Sequence, residues 1–221
     1  MLKDTIINSK DPNNLTEKQC KEWWDNFVTK NNYFTAYSFG FSQPQLYAKI
    51  PLNKTSKILE IGCGYGRQLF EFCKISDYVY GVDVAEGAKI LSEEHNPKAR
   101  VTVCDGKHIP FEDNTFDFLT AVFVFQHISK AHAINLLKES IRVLKPGGRF
   151  LFEFLGGNYI GGEGNDHYSG GLQGMYNNGY TVEELKKIEK ELNLKTIHIT
   201  EIDMSSLSEK GTTNIWWEVI K

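Results

Sequence analysis

The sequence predicts a doubly wound α/β domain. Three observations lead there. Apolar segments of strand length alternate with amphipathic segments of helix length from about residue 40 to residue 155. The strand segments are apolar on both faces, and the first of them runs into a turn rich in glycine, "ILEIGCGYGR" at 58–67. Strands buried on both faces belong to a parallel sheet, because each parallel connection lays a helix across one of its faces.

The elements follow in order. Thr55–Ile61 reads as a strand and Gly66–Lys74 as a helix. Tyr78–Val84, "YVYGVDV", is a second strand, and Ala85–His95 is a helix with Pro97 just past its end. Arg100–Cys104 and Phe116–Ala121 are strands, Ala131–Leu144 is an amphipathic helix stopped by "KPGG", and Arg149–Leu155 is a strand. The texture then changes: residues 156–180 carry nine of the nineteen glycines, too long a stretch for an ordinary connection and typical of a lid or binding loop. "TVEELKKIEKEL" gives a helix with Thr181 as N-cap and Glu184 at the capping-box position, and "LKTIHITEI" and "NIWWEVI" are closing strands. Ahead of the domain, Leu15–Lys30 has Trp23, Trp24 and Phe27 on or near one helical face, so residues 1–50 are expected to form a helical cap or lid over a domain of residues 51–221.

Composition narrows the function. The chain has 221 residues, 41% hydrophobic and 24% charged, with a net charge of −3 and a pI near 6.1. That balance gives no general electrostatic drive toward nucleic acid or anionic membrane. Cys20, Cys63, Cys73 and Cys104 form no C-x-x-C pair and no zinc spacing, so reduced thiols and no metal are expected. The first residues are polar, and the longest apolar run, "FLTAVFVF" at 118–125, is shorter than a membrane span. A cytoplasmic protein, monomer or homodimer, is the expectation.

The glycine turn is the informative feature. In an open α/β sheet, ligands bind outside the carboxyl ends of the strands where strand order reverses. Glycines there let the main chain bend sharply and approach a ligand closely. Asp83 ends the next strand, 19 residues after Gly64, where a carboxylate is placed to accept hydrogen bonds from both hydroxyls of a ribose, with Val84 beside it. A dinucleotide site asks for G-x-G-x-x-G, but counted from Gly62 the third position is Arg67 and the spacing is G-x-G-x-G. This argues against NAD or FAD. It suits a nucleoside whose tail is an amino acid, since a carboxylate there meets Arg67 or the exposed amides of the turn.

Four stretches in order then resemble one family. "ILEIGCGYGR", "VYGVDV", "VCDGKHIPFEDNTFDFLTAVFVFQHI" and "ESIRVLKPGGRFLFEF" are similar to the successive motifs of class I S-adenosylmethionine-dependent methyltransferases of the small-molecule (type 11-like) subgroup, over about residues 55–155. The resemblance implies a Rossmann-like, seven-stranded, mostly parallel sheet whose last strand is antiparallel, a role for "NIWWEVI". It implies S-adenosyl-L-methionine as cofactor, with Gly62, Cys63 and Gly64 beside its methionine part and Glu60 holding the loop and the amino end. Asp83 falls on the ribose, and Asp105, with Gly106 next to it, on the adenine. Val122 and Phe123 are expected to supply backbone carbonyls and an apolar wall. His127 falls near the transferred methyl, as a candidate base.

For the acceptor, the candidates are Tyr33 and Tyr37 in the N-terminal region and His167 and Tyr168 in "NDHYSGG". Nucleic-acid amino-methylases of this fold carry Asn or Asp, then Pro-Pro and an aromatic, where this chain has Ala121, Val122 and Phe123. The expected activity is therefore methylation of oxygen or nitrogen on a small polar metabolite such as a sugar derivative. An NAD-linked oxidoreductase and a non-catalytic nucleoside-cofactor-binding protein are the competing readings.

Overall fold

The computed structural model describes residues 49–157, 164–165, 176–177, 179–203 and 212–221. Its elements are β1 (Lys57–Ile61), α1 (Arg67–Ile75), β2 (Tyr78–Asp83), α2 (Glu86–His95), β3 (Arg100–Val103) and β4 (Phe116–Ala121). A 3-10 turn (Phe125–His127), α3 (Lys130–Val143), β5 (Leu144–Gly157), the short β6 (Gly164–Asn165) and β7 (Tyr176–Asn177), α4 (Val182–Glu191), β8 (Lys195–Asp203) and β9 (Thr212–Ile220) follow. The N-terminal cap expected over residues 1–50 lies almost entirely outside the described residues, as does most of the glycine-rich segment 156–180.

Seven strands form one sheet in the order β3-β2-β1-β4-β5-β9-β8, and β6 pairs with β7 separately. β1 to β5 pair in parallel, whereas β9 runs antiparallel to both β5 and β8. The seven-stranded Rossmann-like sheet and its antiparallel last strand are thus as the resemblance implied. Strand order reverses between β1 and β4, which puts the switch point at the end of "ILEI".

Both faces of the sheet are covered because both strand faces are apolar. Leu59, Ile61, Leu119, Ala121, Phe150, Phe152 and Phe154 pack with Leu136 and Leu137 of α3 and Leu185 of α4. On the opposite face Ile58, Phe118, Leu151 and Trp216 pack with Leu69 and Phe72 of α1. Alternation along β5 sends three phenylalanines to one face, each fully buried and each contributing roughly 1.5–3 kcal/mol relative to exposure.

Helix starts follow from side-chain caps. Ser129 accepts from the His132 amide at the start of α3, and Thr181 and Glu184 form a reciprocal capping box at the start of α4, as their spacing predicts. One boundary differs from the expectation. Leu144 does not end a helix before a turn; it is already the first residue of β5, paired with Phe116, while Phe118 pairs with Arg149. The four residues 145–148 bulge out of the strand, tied by a Gly147 amide to Lys221 carbonyl bond of 3.0 Å. The Pro-Gly signal therefore marks a bulge inside one strand.

Candidate cofactor site at the ends of β1 and β2

β1 brings the chain to Ile61 and β2 brings it to Asp83, and the turn between β1 and α1 is folded back onto β2. The amides of Gly62 and Cys63 both donate to the Val82 carbonyl, at 2.8 and 3.1 Å, and the Gly66 amide closes the turn on the Cys63 carbonyl at 2.8 Å. Two glycines have distinct reasons to lack a side chain. Gly64 has φ of 49°, and a Cβ there would meet no atom of the described residues within 4 Å, so among them its bare main chain borders open space. A Cβ on Gly66 would fall 2.3 Å from Ser92 Oγ and 2.5 Å from Asn96 Nδ2, so α2 packs directly on the turn. Asn96 Nδ2 also donates to the Gly66 carbonyl at 2.9 Å.

Asp83 organises the surroundings. Its Oδ2 accepts the Gly64 amide at 2.8 Å and its Oδ1 accepts the Ala85 amide at 3.0 Å. Its own carbonyl accepts the Cys104 amide at 2.7 Å, drawing in the loop after β3. The sequence places this carboxylate on a ribose; the structure shows that it also fastens the glycine turn. Carboxylate oxygens accept from more than one donor each, so the two roles are compatible.

Glu60 is buried on the face that packs α1, its Oε2 without a hydrogen-bond partner among the described residues. Burial pushes its carboxyl well above the usual carboxylate range, against the opposing pull of the Arg67 guanidinium. Arg67 is the first residue of α1, where a cation opposes the helix dipole. Cys63 is buried and its thiol is pushed well up by that burial, which leaves it a packing residue. Asp105 is exposed in the loop after β3, its Oδ1 accepting the Lys107 amide at 3.0 Å; a Cβ on neighbouring Gly106 would lie 3.1 Å from Leu136 of α3.

Val84 follows β2 directly, and Val122 and Phe123 follow β4. His127 closes the 3-10 turn after them, its amide on the Val124 carbonyl at 2.9 Å. The parallel sheet therefore gathers Glu60, Gly62, Cys63, Gly64, Arg67, Asp83, Val84, Asp105, Gly106, Val122, Phe123 and His127 at one edge, the carboxyl ends of β1 to β4. Tyr33, Tyr37, His167 and Tyr168 lie outside the described residues. No cluster of His, Cys, Asp or Glu able to hold a metal occurs among the described residues.

One residue of this edge escapes the sequence reading. Glu153 of β5 is fully buried, its Oε2 accepts the Phe123 amide at 2.7 Å, and its Oε1 has no partner among the described residues. Burial raises its carboxyl to about 8, against the lowering effects of the Phe123 amide and Arg67. The signal in the sequence is slight: one acid inside "RFLFEFL", where every neighbour from Phe150 onward is apolar.

Residues 59–152 match the family model described as the methyltransferase domain. That segment runs from the first glycine-turn strand to the middle of β5. That segment is thus similar to a methyltransferase domain, and the fold is that of the class I methyltransferases. A solved S-adenosylmethionine-dependent methyltransferase from Methanosarcina mazei shares the methyltransferase fold, with a TM-score of 0.68 at 19% identity over 82% of this chain and 97% of that one. The sterol 4-C-methyltransferase of Caenorhabditis elegans is 28% identical over 127 residues, 54% of this chain and 37% of that protein. The probable tRNA methyltransferase 9B of Homo sapiens is 34% identical over 97 residues, 43% of this chain and 20% of that protein. The chain thus spans well under half the length of these curated relatives.

The matched methyltransferase domain and this fold imply S-adenosyl-L-methionine as cofactor, and the site fits it. Among the described residues, the bare main chain at Gly64 borders open space, a carboxylate stands at the end of β2, and Glu60 keeps a buried oxygen without a partner at the end of β1.

Proposed function

We propose that this chain transfers a methyl group from S-adenosyl-L-methionine to an oxygen or nitrogen of a small polar metabolite. The observation that carries the reading is the open face of Gly64, its amide fastened at 2.8 Å to the Asp83 carboxylate at the end of β2. Asp83 would bind the sugar, Glu60 the amino group, Arg67 and the first amides of α1 the carboxylate, and Asp105 the adenine. Bound there, the cofactor supplies a methyl already activated by a sulfonium.

The chain's own task is then largely alignment, because holding a nucleophile in line with a reactive carbon supplies much of the rate. Val122 and Phe123 wall the site, and a hydroxyl acceptor would lose its proton to His127 or to His167. Tyr33, Tyr37 and Tyr168 are proposed to close over the acceptor. Arg67, where a dinucleotide turn has its third small residue, weighs against an NAD-linked oxidoreductase. The acidic net charge of −3 and the Ala121-Val122-Phe123 segment favour a small acceptor over nucleic acid.

The test is transfer of labelled methyl from S-adenosylmethionine into a metabolite extract and, separately, into bulk tRNA. Label in a small-molecule fraction is expected. Label in tRNA alone, with steeply salt-dependent binding, would assign the acceptor named for the human relative. Label in neither, with cofactor bound, would favour the non-catalytic reading.

A further inference from the structure

Glu153 lies on the same sheet face as Glu60 and Thr120, because β5 alternates and its neighbour Leu151 packs there. Its register partner on β9 is Trp216. Buried carboxylates are costly unless something holds them. Here one oxygen is held by the Phe123 amide at 2.7 Å, and Phe123 itself has φ of 57°, a conformation that bulky residues avoid. Glu153 thus pins an unfavourable backbone at the end of β4.

That backbone adjoins the glycine turn: a Cβ on Gly62 would fall 2.4 Å from Val124 Cγ2. β1 and β4 are neighbours, with Ile61 paired to Ala121. A ligand with its sugar at Asp83 and its amino acid at Glu60 and Arg67 would have its connecting atoms between those groups, near the end of β1, whose neighbour β4 leads into Phe123. In S-adenosylmethionine the connecting sulfur is a cation; in the demethylated product it is a neutral thioether.

Resting on the cofactor reading above, we infer that Glu153 is a positioning residue whose buried carboxylate, fixed beneath Phe123, favours the cationic cofactor over its neutral product. Desolvation disfavours the ionised carboxyl, and a cation alongside restores it. With its carboxyl raised to about 8, Glu153 is mostly protonated near neutrality in the free protein. Binding of the cation releases that proton; binding of the thioether does not. Once the methyl has left, the carboxyl takes a proton back and one attraction holding the spent cofactor is lost.

Other charges surround Glu153. Arg67 of α1 acts on both Glu153 and Glu60, and Asp83 acts on Glu60. Glu60 and Asp83 meet the amino-acid and sugar ends, which the two ligands share, so a comparison of the ligands largely cancels them. His127 lies in the segment after β4, and a Glu153 variant separates its contribution.

The test is calorimetric titration of the full chain with S-adenosylmethionine and with S-adenosylhomocysteine, in buffers of different ionisation enthalpy, from about pH 6.5 to about pH 8.5. The expected result is proton release with the first ligand in excess of the second. The affinity ratio in favour of S-adenosylmethionine should rise with pH by about tenfold in the wild type and stay flat in Glu153→Gln. The wild-type comparison stands even should the variant fail to fold. Equal proton release for the two ligands, or an excess that persists in Glu153→Gln, overturns the inference. Binding of neither ligand overturns the cofactor reading and this inference with it.

Discussion

Asp83 ties the Gly64 amide at 2.8 Å and the Ala85 amide at 3.0 Å, so it serves the backbone as well as any ligand. Asp83→Ala is expected to weaken cofactor binding by about 1–3 kcal/mol, the scale of a hydrogen bond lost from buried partners. Unchanged affinity in a titration would remove Asp83 from the site. Glu153 gives a pH prediction with a definite sign. Its folded-state carboxyl titrates at about 8, raised from 4.5 chiefly by burial. Between those values the folded protein holds a proton that the unfolded chain has released, so its contribution falls as pH rises through that window. Glu153→Gln should flatten the decline in Tm across it, whereas a parallel curve would mean that the carboxyl titrates normally. Asp83 and the glycines were legible because a turn after a strand and an acid after the next strand repeat a spacing. Glu153 was not, because its role depends on a φ of 57° at Phe123, thirty residues away along the chain.

At the level of elements, local signals were read where the chemistry is local. Thr181 and Glu184 are three residues apart and cap each other. Thr181→Ala should cost about 0.5–2 kcal/mol in urea unfolding, and no shift in midpoint would show that α4 needs no cap. The start of β5 was misread because Pro-Gly ends helices more often than it forms bulges, and only the pairing of Leu144 with Phe116 decides between them. Long-range clasps are equally invisible to spacing. Arg142 of α3 donates to the carbonyls of Ile109 and Phe111, to Asp113 and to Glu139, each at 2.8 Å, and Glu139 in turn accepts the Ile109 amide at 2.9 Å. The segment pinned in this way follows the loop that carries Asp105 and Gly106. Arg142→Leu should destabilise by about 1–3 kcal/mol, since it strips partners from two carbonyls. A variant as stable as the wild type would show that those carbonyls find other donors.

For the whole molecule, the seven strands, their mostly parallel sense and the antiparallel last strand were legible, because apolar runs on both faces and four ordered motifs resemble one family, whereas the strand order came only from the pairing. Residues 1–48 and most of 158–178, where the acceptor contacts Tyr33, Tyr37, His167 and Tyr168 are expected, lie outside the described residues, so the acceptor side rests on sequence alone. Among the described residues no helix is long and apolar enough to cross a membrane. The proposed function requires an adenosyl amino acid to lie against the bare main chain of Gly64. Gly64→Ala is the sharpest test, because the added methyl meets no atom of the described residues within 4 Å and costs about 1 kcal/mol in backbone strain at φ of 49°. Calorimetric titration with S-adenosylhomocysteine should show a folded variant that has lost binding by at least about tenfold; a folded Gly64→Ala protein that binds as tightly as the wild type would contradict the account.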